Sequence, residues 1–488
     1  MKWFAVSLSV ILCHGFLVAQ DRPNILMIAV DDLRPMLSCY GDERVQTPNF
    51  DRLAVSGMLF ERAYCNYSKC GPSRMSLMTG LRPGTVGVYS NNERDITKFR
   101  KSRPDAVPMS RWFREAGYEV RGFGKIDHDG WAVPEDWSAP LFAGREGEML
   151  EVVNDDVTAT LIADRANCPV AQAPDVADEF LFAGRMINEV NRHLGELHEK
   201  PFFYAVGFRR PHLPFVAPKR YYDLYAPDES WLAMNPKPPK NVPHLAWFNS
   251  DGYGGMMKKV GDPMPDPLTR ADAIALNGFE MRSYVGAPVH GEIPAANQIK
   301  LLHAYAACIS YVDAQIGKLL DQLDESGLRE NTIVLLWSDH GWHLGEKSAW
   351  GKMTNYEIAN RIPFMISAPG MEPGRTKSFA ALLDVYPTLC DLAGIEPPTH
   401  LEGVSLVPVL KDAAASVKDV IFHEYSRYKN DFMGHAVRTD RYRYVRWTDR
   451  NGELVAEELY DLESDPMEMS NLSEEQPDKA SELATLLR

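Results

Sequence analysis

Four stretches of this chain share one pattern: a near-continuous apolar run that ends abruptly in charged or imidazole-bearing residues. NILMIAV (24–30) runs into Asp31 and Asp32, and YEVRGFG (118–124) into Lys125 and His128. PFFYAVGF (201–208) runs into RRPH, ending at His212, and TIVLLWS (332–338) into Asp339 and His340. Apolar runs without alternation mark strands covered on both faces, as in a parallel sheet. Between them lie helical patterns. The clearest, 299–327, spaces Ile299, Leu302, Ala306, Ile309, Ile316, Leu319 and Leu323 along one face, with Gly327 placed to stop it. Strands alternating with helices predict an open α/β sheet, in which ligands collect outside the carboxyl ends of the strands. One rim should therefore gather all the polar residues named above. Each alone has an ordinary explanation, a capped turn or a hydrogen-bonded histidine. Their recurrence at four strand ends is what points to a site.

The texture changes near residue 413. VIFHEYSRY, GHAVRTD, RYRYVRWTD and EELYDLESDP alternate over short lengths, and KASELATLLR closes the chain as a helix. The expected architecture is a large, mostly parallel sheet flanked by helices, with a smaller C-terminal α+β domain on an antiparallel sheet. The boundaries are placed at 21–412 and 413–488. The stretch from about 228 to 295, rich in Pro, Gly and Trp, has little periodicity. It reads as long loops that shape a pocket, or equally as passive packing.

Composition narrows the function classes. At 488 residues, 45% hydrophobic and 24% charged, the chain is an ordinary globular protein. A net charge of −15 argues against a nucleic-acid partner, which needs a basic surface. Any anionic substrate must be drawn in by a local cationic pocket. The opening MKWFAVSLSVILCHGFLVAQ reads as a signal peptide over residues 1–20, too short and poorly flanked for a membrane anchor. Export to a periplasm or to the medium is expected, with no membrane span. Cysteines stand at 13, 39, 65, 70, 168, 308 and 390, so six remain beyond the leader. An oxidising compartment permits disulfides among them without demanding any.

One cysteine has an unusual setting. In YSKCGPSRMSLMTG (67–80), Cys70 precedes a Gly-Pro-Ser-Arg turn and a helix expected to begin near Ser73. Alone, it would read as a small buried hydrophobe. CGPSR, however, resembles the Cys-x-Pro-Ser-Arg signature of type I sulfatases, of the alkaline phosphatase-like superfamily. The order Asp-Asp, Cys-x-Pro-Ser-Arg, Gly-Lys-x-x-His, Arg-Pro-His, Ser-Asp-His-Gly, Lys is similar to that family's order. AVGFRRPHLPF, SYVDAQIGKLL, SDHGWHLGEKSAWGK and RTDRYRY resemble its iduronate-type members, and ELYDLESDPMEMSNL resembles the family's ending. The resemblance runs from about residue 22 to 472.

The resemblance implies that Cys70 is oxidised to formylglycine by a formylglycine-generating or sulfatase-maturing enzyme that reads Pro72 and Arg74. A hydrated aldehyde carries two hydroxyls: one attacks sulfur and expels the alcohol, and the second lets the aldehyde re-form as sulfate leaves. It further implies a metal site of Asp31, Asp32, Cys70, Asp339 and His340. Ca²⁺ is the expected ion, with Mg²⁺ as the alternative; many relatives carry Asn where this chain has the softer ligand His340. Arg74 is expected to hold the oxygen of residue 70, and Lys125 and Lys352 to grip sulfate. His128 is the candidate base, and His212, with Lys352, the candidate acid for the departing alcohol. The implied substrate is a sulfated oligo- or polysaccharide, such as one bearing a 2-O-sulfated uronate. A phosphonate or phosphodiester hydrolase of the same superfamily, or an inactive polysaccharide-binding relative, are the alternatives.

Overall fold

The computed structural model describes residues 22–128, 131–144, 151–153, 156–158, 168–259, 261 and 264–487. The expected signal peptide, residues 1–20, lies outside the described residues. The four apolar runs form β1 (Asn24–Val30), β3 (Glu119–Gly124), β4 (Phe202–Phe208) and β5 (Thr332–Ser338). They are neighbours in one eight-stranded sheet and pair in parallel, in the order β3-β4-β1-β5. The remaining strands are β2 (Met58–Tyr64), β6 (Phe364–Ser367), β7 (Gly374–Ala381) and the two-residue strand Arg361–Ile362. β6 is antiparallel to both β5 and β2, and β7 runs parallel to β2. The sheet is mostly parallel, as expected.

β1 shows why its sequence does not alternate. Leu26, Ile28 and Val30 pack into one apolar cluster, whereas Ile25, Met27 and Ala29 pack into another on the opposite face. Each large side chain buried this way contributes about 1.5–3 kcal/mol relative to exposure. The first cluster is built on α4 (Ala295–Glu325), whose Leu302, Ala306, Ile309, Ile316, Leu319 and Leu323 are buried. That helix ends just before Gly327, which adopts φ +65°. The opposite face carries α2 (Met109–Glu115) and α5 (Val385–Leu392).

The C-terminal runs form a four-stranded antiparallel meander, Ile421–Arg427, Phe432–Arg438, Tyr442–Asp449 and Leu454–Asp461, followed by the helix Pro477–Ala484. It docks on the segment that leads into Cys70: the Glu424 amide donates to the Asn66 carbonyl at 3.1 Å. The 228–295 stretch differs from a set of bare loops. It holds short helices, among them His244–Trp247, Arg270–Leu276 and Phe279–Arg282, around a cluster that includes Trp247, Phe248 and Phe279. Two-turn helices are too short to show a periodicity in sequence. All six cysteines among the described residues are free thiols. No helix among the described residues is long and apolar enough to cross a membrane.

Candidate active site

Three carboxylates meet where β1 and β5 end side by side. The Asp31 amide extends the sheet to the Phe208 carbonyl of β4. Asp32 then turns into the left-handed region at φ +60°, a conformation that Asp tolerates better than most residues. That turn is locked from both sides. The Asp32 amide donates to Asp339 Oδ1 at 3.1 Å, and its carbonyl accepts from the Tyr305 hydroxyl of α4 at 2.8 Å. All three aspartates are fully buried.

Cys70 approaches from above on α1 (Cys70–Thr79), every residue of which is buried. The helix begins at Cys70 itself, three residues earlier than Ser73. This start follows from the local chemistry. Pro72 lacks an amide at a position where no intrahelical acceptor exists. The Gly71 amide is taken by Asn91 Oδ1 at 3.0 Å. A Cβ at Gly71 would meet the Trp131 ring at 2.5 Å, so only glycine fits. The helix therefore aims its amide end, the seat favourable to anions, at the carboxylate cluster. Cys70 Sγ lies 3.2 Å from Lys352 Nζ, 3.3 Å from His340 Nε2 and 4.0 Å from Asp32 Oδ1. Burial, with Asp31 adding to it, pushes the thiol up to about 11.

Positive groups offset the aspartates in pairs. Lys125, at the end of β3, bonds Asp31 Oδ2, and Lys352 bonds Asp32 Oδ1 at 2.6 Å. Lys352 is carried by a loop whose backbone is held at Trp350 and Lys352 by the Asn249 amide. Burial works against its ammonium, yet Asp32, Cys70 and Glu280 hold its pKa well above the usual value. Burial alone would raise the Asp31 carboxyl, but Lys125, His212 and Arg74 hold it well below the usual range. At Asp32, burial and the charge of Asp31 outweigh Lys352 and push the carboxyl well up.

Arg74 departs from its expected place. Nε donates to Asp339 Oδ2 at 2.9 Å, Nη2 to Asp31 Oδ1 at 3.3 Å, and Nη1 to the carbonyls of Lys125 and Ile126 at 2.6 and 2.9 Å. The guanidinium, one turn along the helix from Cys70, ties the ends of β1, β3 and β5 together and does not clamp the residue 70 side chain. Ser73 adds a bond from Oγ to the Asp339 carbonyl at 2.5 Å.

The two rim histidines differ. His340 Nδ1 donates to the Gly341 carbonyl at 3.0 Å, which leaves Nε2 as a lone pair. That lone pair lies 3.4 Å from Asp32 Oδ1 and 3.7 Å from Asp339 Oδ2. Three electron-rich groups converging in the interior, with Asp32 Oδ2 buried and without a hydrogen-bond partner, suit a cation. Ligand atoms of Asp31, Cys70, Asp339 and His340 all lie within 4.8 Å of one another, as do those of Asp31, Asp32, Cys70 and His212. The interior thus holds a possible buried metal site in two overlapping donor groups, with Asp32 grouped beside His212 and not with Asp339 and His340. His212 is likewise fixed by Nδ1, donating to the Leu213 carbonyl at 2.6 Å. Its Nε2 faces Asp32 Oδ2 at 3.9 Å and Glu280 Oε1 at 3.8 Å. Burial first, then Lys352, hold its pKa well below the usual value.

His128 is only partly buried. Its ring packs on Trp131, 5.4 Å between centroids, and it is Trp131 that covers Gly71 beside the thiol. Two charged residues join the site without a signal in the sequence. Lys69 caps α1, its ammonium disfavoured by burial while Asp251, Glu280 and Cys70 favour it. Glu280 rises from the aperiodic stretch to within 3.9 Å of Lys352 Nζ.

Residues 23–395 match the family described as Sulfatase, and residues 345–487 match N-sulphoglucosamine sulphohydrolase, C-terminal. The chain is 31% identical to iduronate 2-sulfatase of Mus musculus over 530 residues, covering 93% of this chain and 91% of that protein. Its fold is similar to the phosphonate monoester hydrolase of Agrobacterium radiobacter, with a TM-score of 0.70 and 22% identity over 96% of this chain and 95% of that one. It is also similar to a 2-O GAG sulfatase, with a TM-score of 0.68 and 22% identity over 96% of this chain and 91% of that one.

Proposed function

This chain belongs to the sulfatase family and is a sulfuric ester hydrolase; from that premise we propose that it is exported and removes a sulfate ester from a sulfated saccharide, a 2-O-sulfated uronate being the leading substrate. One observation carries the reading. The thiol of Cys70, at the first turn of α1, lies within 3.3 Å of both Lys352 Nζ and His340 Nε2, beside three buried aspartates. The iduronate 2-sulfatase relative supports the uronate assignment, and the leader-like residues 1–20 support export.

In this reading Asp31, Asp32, Asp339 and His340, with position 70, would hold Ca²⁺, which would supply Lewis-acid stabilisation of charge on the sulfate and the nucleophile. Formylglycine at position 70, as its hydrate, supplies one hydroxyl to attack sulfur and a second to release sulfate. The chain's own residues do the rest. Lys125 and Lys352 exchange carboxylate oxygens for sulfate oxygens and stabilise charge on the transferring group. Arg74 keeps Asp31 and Asp339 in register. Lys352, whose ammonium is held protonated, supplies the proton to the departing alcohol; His212, with Nδ1 committed to a carbonyl, keeps Nε2 as an acceptor beside it, and His128 takes the second proton.

Mass spectrometry of the peptide that spans Cys70 is the direct test, with the expected result a thiol replaced by an aldehyde. An unmodified thiol in active protein would overturn the nucleophile. Desulfation of defined oligosaccharides, run beside phosphonate and phosphate diesters, decides the substrate. Faster turnover of the phosphorus esters would replace this reading with the competing hydrolase.

A further inference from the structure

Lys352 owes its place to something other than its own strand. The hairpin strand that leads to it, Trp350–Gly351, pairs with His343–Leu344 and ends one residue before the lysine. Its two chain neighbours, Gly351 and Met353, both adopt positive φ, +105° and +72°. That region suits glycine and is uncommon for methionine, so the backbone at Lys352 follows neither strand nor helix. Yet the ammonium meets Asp32 Oδ1 at 2.6 Å and Cys70 Sγ at 3.2 Å. An irregular backbone holds a side chain that closely only if something outside it pins the chain.

Asn249 is that pin. It is 1% exposed, and its side-chain amide makes three hydrogen bonds at once. Nδ2 donates to the Trp350 carbonyl at 3.0 Å and to the Lys352 carbonyl at 2.9 Å, while Oδ1 accepts from the Gly278 amide at 2.8 Å. A carboxylate of the same size has no donor, and a hydroxyl has only one. Asn249 is itself braced. Its backbone amide donates to Asn277 Oδ1 at 2.8 Å, and Asn277 Nδ2 donates to the Trp247 carbonyl at 3.2 Å. Ser250 Oγ donates to the Leu276 carbonyl at 2.8 Å and accepts from the Phe279 amide at 2.9 Å. Two segments of the aperiodic stretch, 247–250 and 276–279, are thus cross-linked into a platform from which one side chain reaches the lysine's backbone. A buried polar network is stable only when its bonds are all made, and here two of them fall on the carbonyls of Trp350 and Lys352.

We propose that Asn249 is a positioning residue for the departure of the alcohol: by holding those two carbonyls it keeps the Lys352 ammonium at the ester oxygen. The proposal rests on the reading that Lys352 protonates the departing alcohol. Misplacing such a group by about 1 Å costs roughly 10²-fold in rate. A sugar ester feels the loss most, because its alkoxide needs the proton to leave, whereas a nitrophenolate leaves without one.

Steady-state kinetics of the metal-loaded, matured enzyme test this with two esters, the methyl glycoside of 2-O-sulfated iduronic acid and 4-nitrophenyl sulfate. Asn249→Ala should lower kcat on the glycoside by roughly 10²-fold and on the aryl ester by roughly tenfold at most. Asn249→Ser, which keeps one donor, should fall between wild type and N249A on the glycoside. In a Lys352→Ala background, adding N249A should change kcat by no more than about threefold, since the group it positions is gone. An equal loss on both esters, or the full N249A loss in the Lys352→Ala background, would show a merely structural role and overturn the positioning. Failure of both Asn249 variants to fold would overturn it too, by assigning the residue to support of the fold. If K352A itself costs the two esters equally, the proton-donor reading falls first, and the positioning falls with it.

Discussion

Replacing Arg74 with alanine isolates the device that holds the strand ends together. The side chain is wholly buried and makes four hydrogen bonds, two to carboxylates and two to carbonyls. Deleting it takes one partner from Asp31, which keeps Lys125, and one from Asp339, which keeps the Asp32 amide, and strands the carbonyls of Lys125 and Ile126 in the interior. Removing one partner of a buried ion pair costs about 3–5 kcal/mol. A stranded carbonyl adds about 1–3 kcal/mol, offset in part by water entering the vacated space. The expected loss is about 4–8 kcal/mol, against a typical stability of about 5–15 kcal/mol. Arg74→Lys keeps the charge, but an ammonium cannot reach both carboxylates and both carbonyls, so it should fall between. Urea unfolding followed by tryptophan fluorescence reads the effect, since the guanidinium sits 5.4 Å from the Trp337 ring centroid. Added Ca²⁺ should raise the midpoint of R74A more than that of the wild type, because a second cation then offsets the carboxylates that have each lost a partner. An R74A midpoint within about 1 kcal/mol of wild type would refute the reasoning, because a loss that small could not come from a broken buried pair.

Three further outcomes follow from the same geometry. Cys70→Ala should leave the unfolding midpoint nearly unchanged, since the thiol makes only weak contacts, while sulfate release falls by roughly 10⁴-fold or more; retention of most release would contradict a nucleophile at position 70. Dialysis against a chelator should lower sulfate release and Ca²⁺ should restore it, whereas unchanged rates would rule out an ion in the reaction. Glu357 joins the large sheet's loops to Arg438 and Arg443 of the C-terminal sheet. Burial alone would raise its carboxyl, but the two arginines take it down to about 2. Its folded pKa is depressed, so its contribution, about 3 kcal/mol, is complete above pH 4.5 and drains as pH falls toward 2. The gap in melting temperature between wild type and Glu357→Gln should therefore narrow from pH 7 to pH 4, and a gap that holds or widens would place the charge elsewhere.

Legibility in the sequence tracked how much of a residue's role is set by its own strand. Asp31, Asp32, Asp339, His340 and His212 follow fully buried parallel strands and Lys125 a partly buried one, whose apolar runs announce themselves, and the rule for carboxyl ends then brings them together. β2 and β7 escaped notice because MLFERAY and GRTKSFAA carry charges toward the edge of the sheet, where one side is less completely covered. Glu280 and Lys69 escaped for a different reason. A four-residue helix has no period to detect, and a lysine before a cysteine has no pattern at all. Deeper still is what no local pattern encodes, the company a side chain keeps across the fold. His212 and His340 look alike in sequence, each closing an apolar run. β5 lies against β1 on the side where Asp32 turns back, so His340 Nε2 meets two carboxylates and the thiol. β4 lies on the other side of β1, where the 228–295 helices cover the rim, so His212 Nε2 meets Asp32 and Glu280 instead. Two similar strand ends thus acquire different surroundings from sheet order alone, two carboxylates and the thiol for His340, Asp32 and Glu280 for His212. Exchanging the two roles would require exchanging the neighbours of β1, which no substitution at either histidine can do.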